Sequence, residues 1–261
     1  MIMQLFKFMY TTVPAYNIFL KKRGIEGDTI VTIRDLEKIP LIDKQSYLKK
    51  NNYEDLFPHK DFSQISTISA TSGSSGEPFY FPRGEMQDAQ HEYVAEIFLK
   101  NQFEIDTKST LAVIGFGLGI WIGGILNYKI LNRIAQKGYR LSLVPVGPNI
   151  ESYLNTIKKF GPFYDQVLMI GYPPFIKDVI DQAEHYNVNW KDYCIKIFTA
   201  AEGFSEKFRD YIAKATSLKN PFSDIINIYG SVELGNMAHE TALSNLIRKI
   251  LAENKTIYKS I

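Results

Sequence analysis

Residues 109–128 read STLAVIGFGLGIWIGGILNY, twenty positions without a charge. Apolar length alone would make this a membrane-span candidate. Two features argue otherwise. Gly115, Gly117, Gly119, Gly123 and Gly124 crowd its middle, and its first part, Thr110-Leu111-Ala112-Val113-Ile114, has the length and branched composition of a short buried strand. The stretch therefore divides into a strand over 110–114, a glycine-rich loop, and a helix over 125–137. No membrane span is expected.

The same pattern repeats downstream. Strand 141–145 precedes helix 150–160, strand 166–170 precedes helix 174–186, and strand 195–199 precedes helix 205–214. Strand 225–229 leads into a final segment that ends in an amphipathic helical stretch, 245–251. Strands alternating with helices argue for an α/β fold, a largely parallel sheet with flanking helices. Upstream, Ile65-Ser66-Thr67-Ile68-Ser69-Ala70 alternates as a strand, and Phe79-Tyr80-Phe81 reads as a second. Glu85 to Asn101 reads as a helix whose apolar face takes Met86, Ala89, Tyr93 and Ile97. Before residue 65, short helical starts at 33–37 and 44–48 flank Pro40, which breaks the helix and fixes an extended link. The expected division is an N-terminal helical and irregular segment, 1–64, packing on an α/β region, 65–261.

The 261 residues are 45% hydrophobic and 22% charged, with net charge +2 and acids and bases interspersed. This is a globular composition, and the absence of a basic stripe sets nucleic acid aside. The single cysteine, Cys194, rules out an internal disulfide and suits a reducing cytoplasm. It is expected to pack in a strand. The four histidines are too far apart in sequence for a zinc spacing. The apolar start at residues 1–6 is broken by Lys7, Thr11, Thr12 and Pro14 and makes a poor signal peptide.

The sharpest local signal is Thr71-Ser72-Gly73-Ser74-Ser75-Gly76-Glu77-Pro78. Small residues let main-chain N–H groups and hydroxyls surround a phosphate. A plain flexible turn is the other reading, and the loop alone does not decide between them. It lacks the lysine of a Walker loop and the G-x-S-x-G of a nucleophile elbow.

Taken with Tyr229-Gly230-Ser231-Val232-Glu233 far downstream, however, the loop resembles the phosphate-binding loop of adenylate-forming enzymes, whose second signature is aromatic-G-x-[ST]-E. Other stretches are similar to the phenylacetate–coenzyme A ligase branch: Val13 to Asn17, Ile39 to Lys44, Gly115 to Gly124, Gly171 to Pro174, and Ala200-Ala201-Glu202 followed by Arg209. The resemblance covers most of the chain. It implies layered sheets with flanking helices, as in the N-terminal domain of these enzymes, and ATP-dependent activation of a small-molecule carboxylate as an acyl-adenylate, normally passed to coenzyme A.

By the same resemblance, Thr71, Ser72, Gly73, Ser74, Ser75 and Gly76 would hold the phosphates of ATP. Tyr229 would stack on adenine, with Gly230, Ala201 and Glu202 beside it. Ser231 and Glu233 would be catalytic, Glu233 as the Mg²⁺ ligand. Gly115 to Trp121 and Gly171 to Pro173 would line the acyl or thiol channel. Each has a plainer reading: Tyr229 as a core tyrosine, Glu233 as a first-turn helix acid, Glu202 as a solvated cap, and Phe116 and Trp121 as core. His239-Glu240 reads as a surface pair. As an ordered set, the functional reading is favoured.

Two departures stand out. Glu77 sits where an acid would oppose polyphosphate. The family also continues past its second signature to a ribose-binding aspartate, a hinge and a small C-terminal domain bearing a catalytic lysine, whereas this sequence stops at Ile261. The resemblance then implies one part of a split ligase completed by a second polypeptide, a truncated product or fragment that folds without turnover, or a nucleotide- or acyl-binding protein that kept the site and lost the reaction. An exposed apolar surface would favour association, including with a second copy as a homodimer.

Overall fold

The computed structural model describes residues 1–70 and 78–254, in two compact units, Met1–Ile65 and Ser66–Ile261. The phosphate-loop residues Thr71 to Gly76, and Glu77, lie outside the described residues.

In the first unit, α1 (Ile2–Thr12) and α2 (Pro14–Lys21) meet at Val13. Pro14, expected only to interrupt an apolar run, occupies the first turn of α2, where its missing N–H costs nothing. Phe6, Phe19, Leu20, Ile30 and Tyr47 form a small core. The helical start expected at 33–37 is a 3₁₀ helix, Ile33–Lys38, with Thr32 and Asp35 in a reciprocal cap. Residues 44–47 are turn rather than helix; Asp43 accepts from the amides of Gln45 and Ser46 and so satisfies the backbone locally.

The second unit opens with β1 (Ile65–Ala70) and β2 (Tyr80–Gly84), a two-stranded sheet. There follow α3 (Glu85–Phe103), β3 (Thr110–Ile114), α4 (Ile122–Ala135), β4 (Leu141–Val144), α5 (Ile150–Phe160), β5 (Gln166–Gly171) and α6 (Pro173–Gln182). The unit continues through β6 (Ile195–Thr199), α7 (Glu206–Thr216), α8 (Pro221–Asp224), β7 (Ile225–Ser231), β8 (Gly235–His239) and α9 (Ala242–Glu253). The main sheet runs β4-β3-β5-β6-β7-β8, parallel except for β8. It is the α/β sheet with flanking helices that the alternation predicts.

Side chains alternate between the two faces of each strand. Leu111, Val113, Val167, Met169, Ile195 and Ile197 face a core completed by α5, α6 and α7. Ala112, Ile114, Leu168, Ile170, Phe198 and Ile226 face a second core completed by α3 and α4. With both faces covered, the central strands read as continuous apolar runs.

The face of α3 reverses the expectation. Met86, Ala89, Tyr93 and Ile97 are exposed, while Asp88, Glu92, Phe98, Leu99 and Phe103 are buried. The buried acids are tolerated because α4 and the turn after it bring bases to them. Lys129 Nζ lies 2.5 Å from Asp88, Arg133 pairs with Glu92, and Lys137 Nζ lies 2.6 Å from both Glu92 and Glu96. These donors hold the Glu92 and Glu96 carboxyls below the usual glutamate range.

Cys194 also differs from expectation. It is exposed just before β6, where its carbonyl accepts from Val167 N at 2.9 Å. Among the described residues, no helix is long and apolar enough to cross a membrane.

Candidate active site

The strand order reverses between β3 and β5: the chain moves outward from β3 to β4, then back across to β5, β6 and β7. In an open α/β sheet the crevice at such a switch, beyond the carboxyl ends of the strands, is where ligands bind. Tyr153 of α5 fastens the two strands there. Its wholly buried hydroxyl donates to Val113 O at 2.8 Å and accepts from Ile170 N at 2.9 Å. Burial pushes that hydroxyl well above the ordinary tyrosine range, so it remains protonated as the donor this bond needs.

Above this point lies a cavity of about 640 Å³. Five chain segments leaving the strand ends of the main sheet line it: Gly115, Phe116, Gly117 and Trp121 after β3, Pro148 after β4, Tyr172 after β5, Ala200 and Ala201 after β6, and Gly230, Ser231 and Val232 around the end of β7. The glycine-rich run folds back tightly, because a Cβ on Gly124 would lie 2.2 Å from the Gly117 carbonyl oxygen. Trp121 then begins α4 and is partly exposed, whereas Phe116 is core. The cavity adjoins a narrower chamber of about 80 Å³ beneath it. The two share Leu126, Asn127 and Asn236, and Phe98, Ile130, Leu131 and Phe198 make most of the chamber apolar.

The candidate residues divide by position. Ala201, Gly230 and Ser231 reach the cavity. Ser231 Oγ also accepts from Leu234 N at 3.2 Å, capping the turn between β7 and β8. Glu233 sits in that turn and is exposed, which excludes the first-turn helix reading. Tyr229 is 69% exposed and lines a separate polar recess of about 310 Å³ with Asn227, Glu240, Ser244, Asn245 and Arg248. It is therefore not a core tyrosine. Glu202 is exposed in the loop after β6 and caps nothing, since Ser205 is the residue whose side chain caps α7. Of Gly171 to Pro173, only Tyr172 reaches the cavity; Gly171 and Pro173 are buried.

One set of residues is brought together only by the fold. Arg209 is fully buried on α7, with Nε donating to Glu206 at 3.0 Å, Nη2 to Glu240 at 2.8 Å and to Asn245 at 3.1 Å, and Nη1 to the Ile225 carbonyl. The Glu240 carboxylate is thus not half of a surface pair with His239. It is bound to Arg209 and accepts from the Asn227 main-chain N–H at 2.9 Å, while the His239 ring lies tilted against Phe98, with ring centroids 4.7 Å apart and planes at 53°.

No known protein-family model matches the chain. A phenylacetate–coenzyme A ligase from Aromatoleum evansii is 21% identical over 246 residues, 86% of this chain and 48% of that protein. An open-conformation structure of 2-hydroxyisobutyryl-CoA ligase in complex with 2-HIB-AMP and CoA superposes with a TM-score of 0.70 at 15% identity, covering 94% of this chain and 55% of that one. The chain has the fold of an acid–coenzyme A ligase. The same ligase with 2-HIB-AMP and CoA in the thioesterification state gives a TM-score of 0.68 at 17% identity, over 93% of this chain and 50% of that one. The ligase-fold chain spans about half the length of the curated relative it matches.

Proposed function

We propose that this ligase-fold region binds ATP and a small carboxylic acid and takes part in joining them as an acyl-adenylate, the step that precedes transfer to coenzyme A. The observation that carries this reading is the meeting of five segments, including the Ala200-Ala201 and Gly230-Ser231 motifs, around one cavity at the switch point.

In this reading a carboxylate oxygen attacks the α-phosphorus of ATP, and the bond from that phosphorus to the bridging oxygen breaks. Pyrophosphate leaves with the electron pair. The main chain and hydroxyls of Thr71, Ser72, Gly73, Ser74, Ser75 and Gly76 would wrap the phosphates. The Tyr229 ring, exposed and next to Gly230, is available to stack on the base, with Ala201 and Glu202 beside it. Ser231 would border the reacting carboxylate at the cavity mouth, where it already holds the turn. The apolar chamber suits the hydrocarbon part of the acid, since it offers its body no charged side chain from α4 or β6.

Glu233 is the candidate magnesium ligand. Among the described residues, no group of three or more His, Cys, Asp or Glu could hold a metal. One exposed carboxylate fits a cation that keeps its waters and takes its other ligands from substrate phosphates. Magnesium, when bound, would offset phosphate charge. The segments completing turnover, whether in a longer chain, a second polypeptide or a second copy, belong to this proposal, as do coenzyme A as acceptor and a cytoplasmic location. A nucleotide- or acyl-binding protein without turnover would use the same site.

Titration with acyl-sulfamoyl adenosines carrying isobutyryl or phenylacetyl groups tests the reading. Saturable binding, lost when Leu126→Trp fills the junction of cavity and chamber, is expected. A folded chain that binds neither analogue would contradict it.

A further inference from the structure

The first helix, α1, is apolar on two faces. Met3, Phe6 and Tyr10, at i, i+3 and i+7, turn toward the small core of the N-terminal unit, where Phe6 is buried. Met1, Leu5 and Phe8, at i, i+4 and i+7, make a second stripe with Ile2 beside it. All four are exposed, Leu5 at 59% and Phe8 at 47%. Thr12, next along that stripe, turns its hydroxyl onto the Phe8 carbonyl at 2.7 Å. Gln4, Lys7 and Thr11 form a polar stripe between the two. The outer face of a surface helix is ordinarily polar, and an apolar one marks an interaction surface.

The charge around this stripe is of one sign. Residues 1–25 contain Lys7, Lys21, Lys22 and Arg23 and no acid, a charge of +4 where the whole chain carries +2. Arg23 is engaged within the unit: its guanidinium lies 3.8 Å from the Phe19 ring centroid and donates to the Phe19 carbonyl at 3.1 Å. Lys7, Lys21 and Lys22 are exposed and have no ion pair among the described residues. The second helix, α2, folds back on α1. The Asn17 side chain donates to the Tyr10 carbonyl at 3.0 Å, Phe6 meets Tyr16 edge-on, and Leu20 joins Phe6 in the core. Lys21 and Lys22 are thereby returned to the end of the hairpin where the apolar stripe begins.

We propose that the α1–α2 hairpin docks on an anionic lipid surface, with Leu5 and Phe8 entering the acyl boundary and Lys7, Lys21 and Lys22 against headgroup phosphates. The helix lies along the surface and does not cross it: its 11 residues span about 16 Å, half of a hydrocarbon core of about 30 Å. The free ammonium groups favour lipid over an apolar protein surface. Each basic residue beside an anionic leaflet raises affinity roughly fivefold, whereas burial against apolar protein would leave it unpaired. The docking is reversible, because one short helix anchors only marginally. It does not depend on the nucleotide reading.

The test is co-sedimentation of the full 261-residue chain with sucrose-loaded vesicles, of phosphatidylcholine alone or with about 30% phosphatidylglycerol. Partitioning onto the anionic vesicles is expected to be at least tenfold stronger, and to weaken in about 1 M salt, where the Debye length falls to about 3 Å. Leu5→Glu combined with Phe8→Glu is expected to lose tenfold or more while the melting temperature stays near wild type, since both side chains are exposed. Lys7→Gln, Lys21→Gln and Lys22→Gln together are expected to remove the preference for anionic vesicles. Leu243→Glu, a change at an exposed leucine of α9, is expected to bind as wild type does. Equal partitioning onto both vesicles, α1 variants that sediment like wild type, or a loss in Leu243→Glu as large as theirs overturns the proposal. So does a wild-type chain that self-associates without lipid and is returned to monomer by the α1 variants, because the stripe is then a contact between copies.

Discussion

Tyr229 and Tyr153 show how differently one residue type can be placed in the same fold. Tyr229 presents its ring to solvent, so Tyr229→Ala is expected to change stability by less than about 0.5 kcal/mol, as surface substitutions do. If the ring stacks on adenine, the same change weakens ATP binding by roughly 1–3 kcal/mol, the range for base–aromatic stacking. Melting and calorimetry on one variant separate the two effects. Tyr153→Phe should do the reverse. Removing the hydroxyl strands the Val113 carbonyl and the Ile170 amide in the core, a loss of about 1–3 kcal/mol in chemical denaturation. Gly124 gives a third case. A methyl there meets the Gly117 carbonyl oxygen at 2.2 Å, whereas on neighbouring Gly123 it would meet the Phe116 ring at 3.4 Å, an ordinary contact. Gly124→Ala is therefore expected to cost about 1–3 kcal/mol of overpacking, and Gly123→Ala much less.

Among elements, α3 is held by its charges as well as by its apolar side chains. Glu92 has a lowered carboxyl pKa in the folded chain because Lys137 and Arg133 donate to it. Its contribution is fully present above the unfolded value, about 4.3, and is lost as pH falls through the lower folded value. Glu92→Gln should thus lower the melting temperature at neutral pH and flatten the fall in stability below about pH 4. A melting curve whose acid dependence matches wild type would refute that account. Arg209 marks the buried extreme. Arg209→Met strands the acids Glu206 and Glu240, and a loss on the order of 3–5 kcal/mol is expected in urea denaturation.

These elements also show what a single sequence can display. The buried parallel strands are legible because each is a short apolar run ending near glycine or a turn, as in Thr110 to Gly115 and Gln166 to Gly171. The second strand of the hairpin, β8, is not. Gly235-Asn236-Met237-Ala238-His239 has none of the branched residues that mark strands, and it is a strand only because β7 pairs with it, across a register shift at Tyr229 and Gly230. The face of α3 is illegible for a similar reason. The bases that make Asp88 and Glu92 buriable lie on α4, some forty residues onward, so periodicity selected the wrong side. At the candidate site, the motifs were visible as ordered strings. The brace of Arg209, Glu240 and Asn227 was not, because its members converge from α7, the end of β8 and β7 only once the sheet has formed.

For the whole molecule, the sheet order puts the carboxyl ends of β3, β5, β6 and β7 at one rim, and the segments leaving them share one cavity. Fold likeness to 2-hydroxyisobutyryl-CoA ligase extends over 94% of this chain and about half of that enzyme. Fold alone does not assign chemistry. The assignment depends on whether this rim takes a nucleotide. The most direct measurement is calorimetric titration of the purified chain with ATP and Mg²⁺, repeated with Tyr229→Ala and Glu233→Ala. The account predicts saturable binding that both substitutions weaken about tenfold while the melting temperature stays near wild type. A folded chain that takes up no ATP, or two variants that bind it as the wild type does, would contradict it.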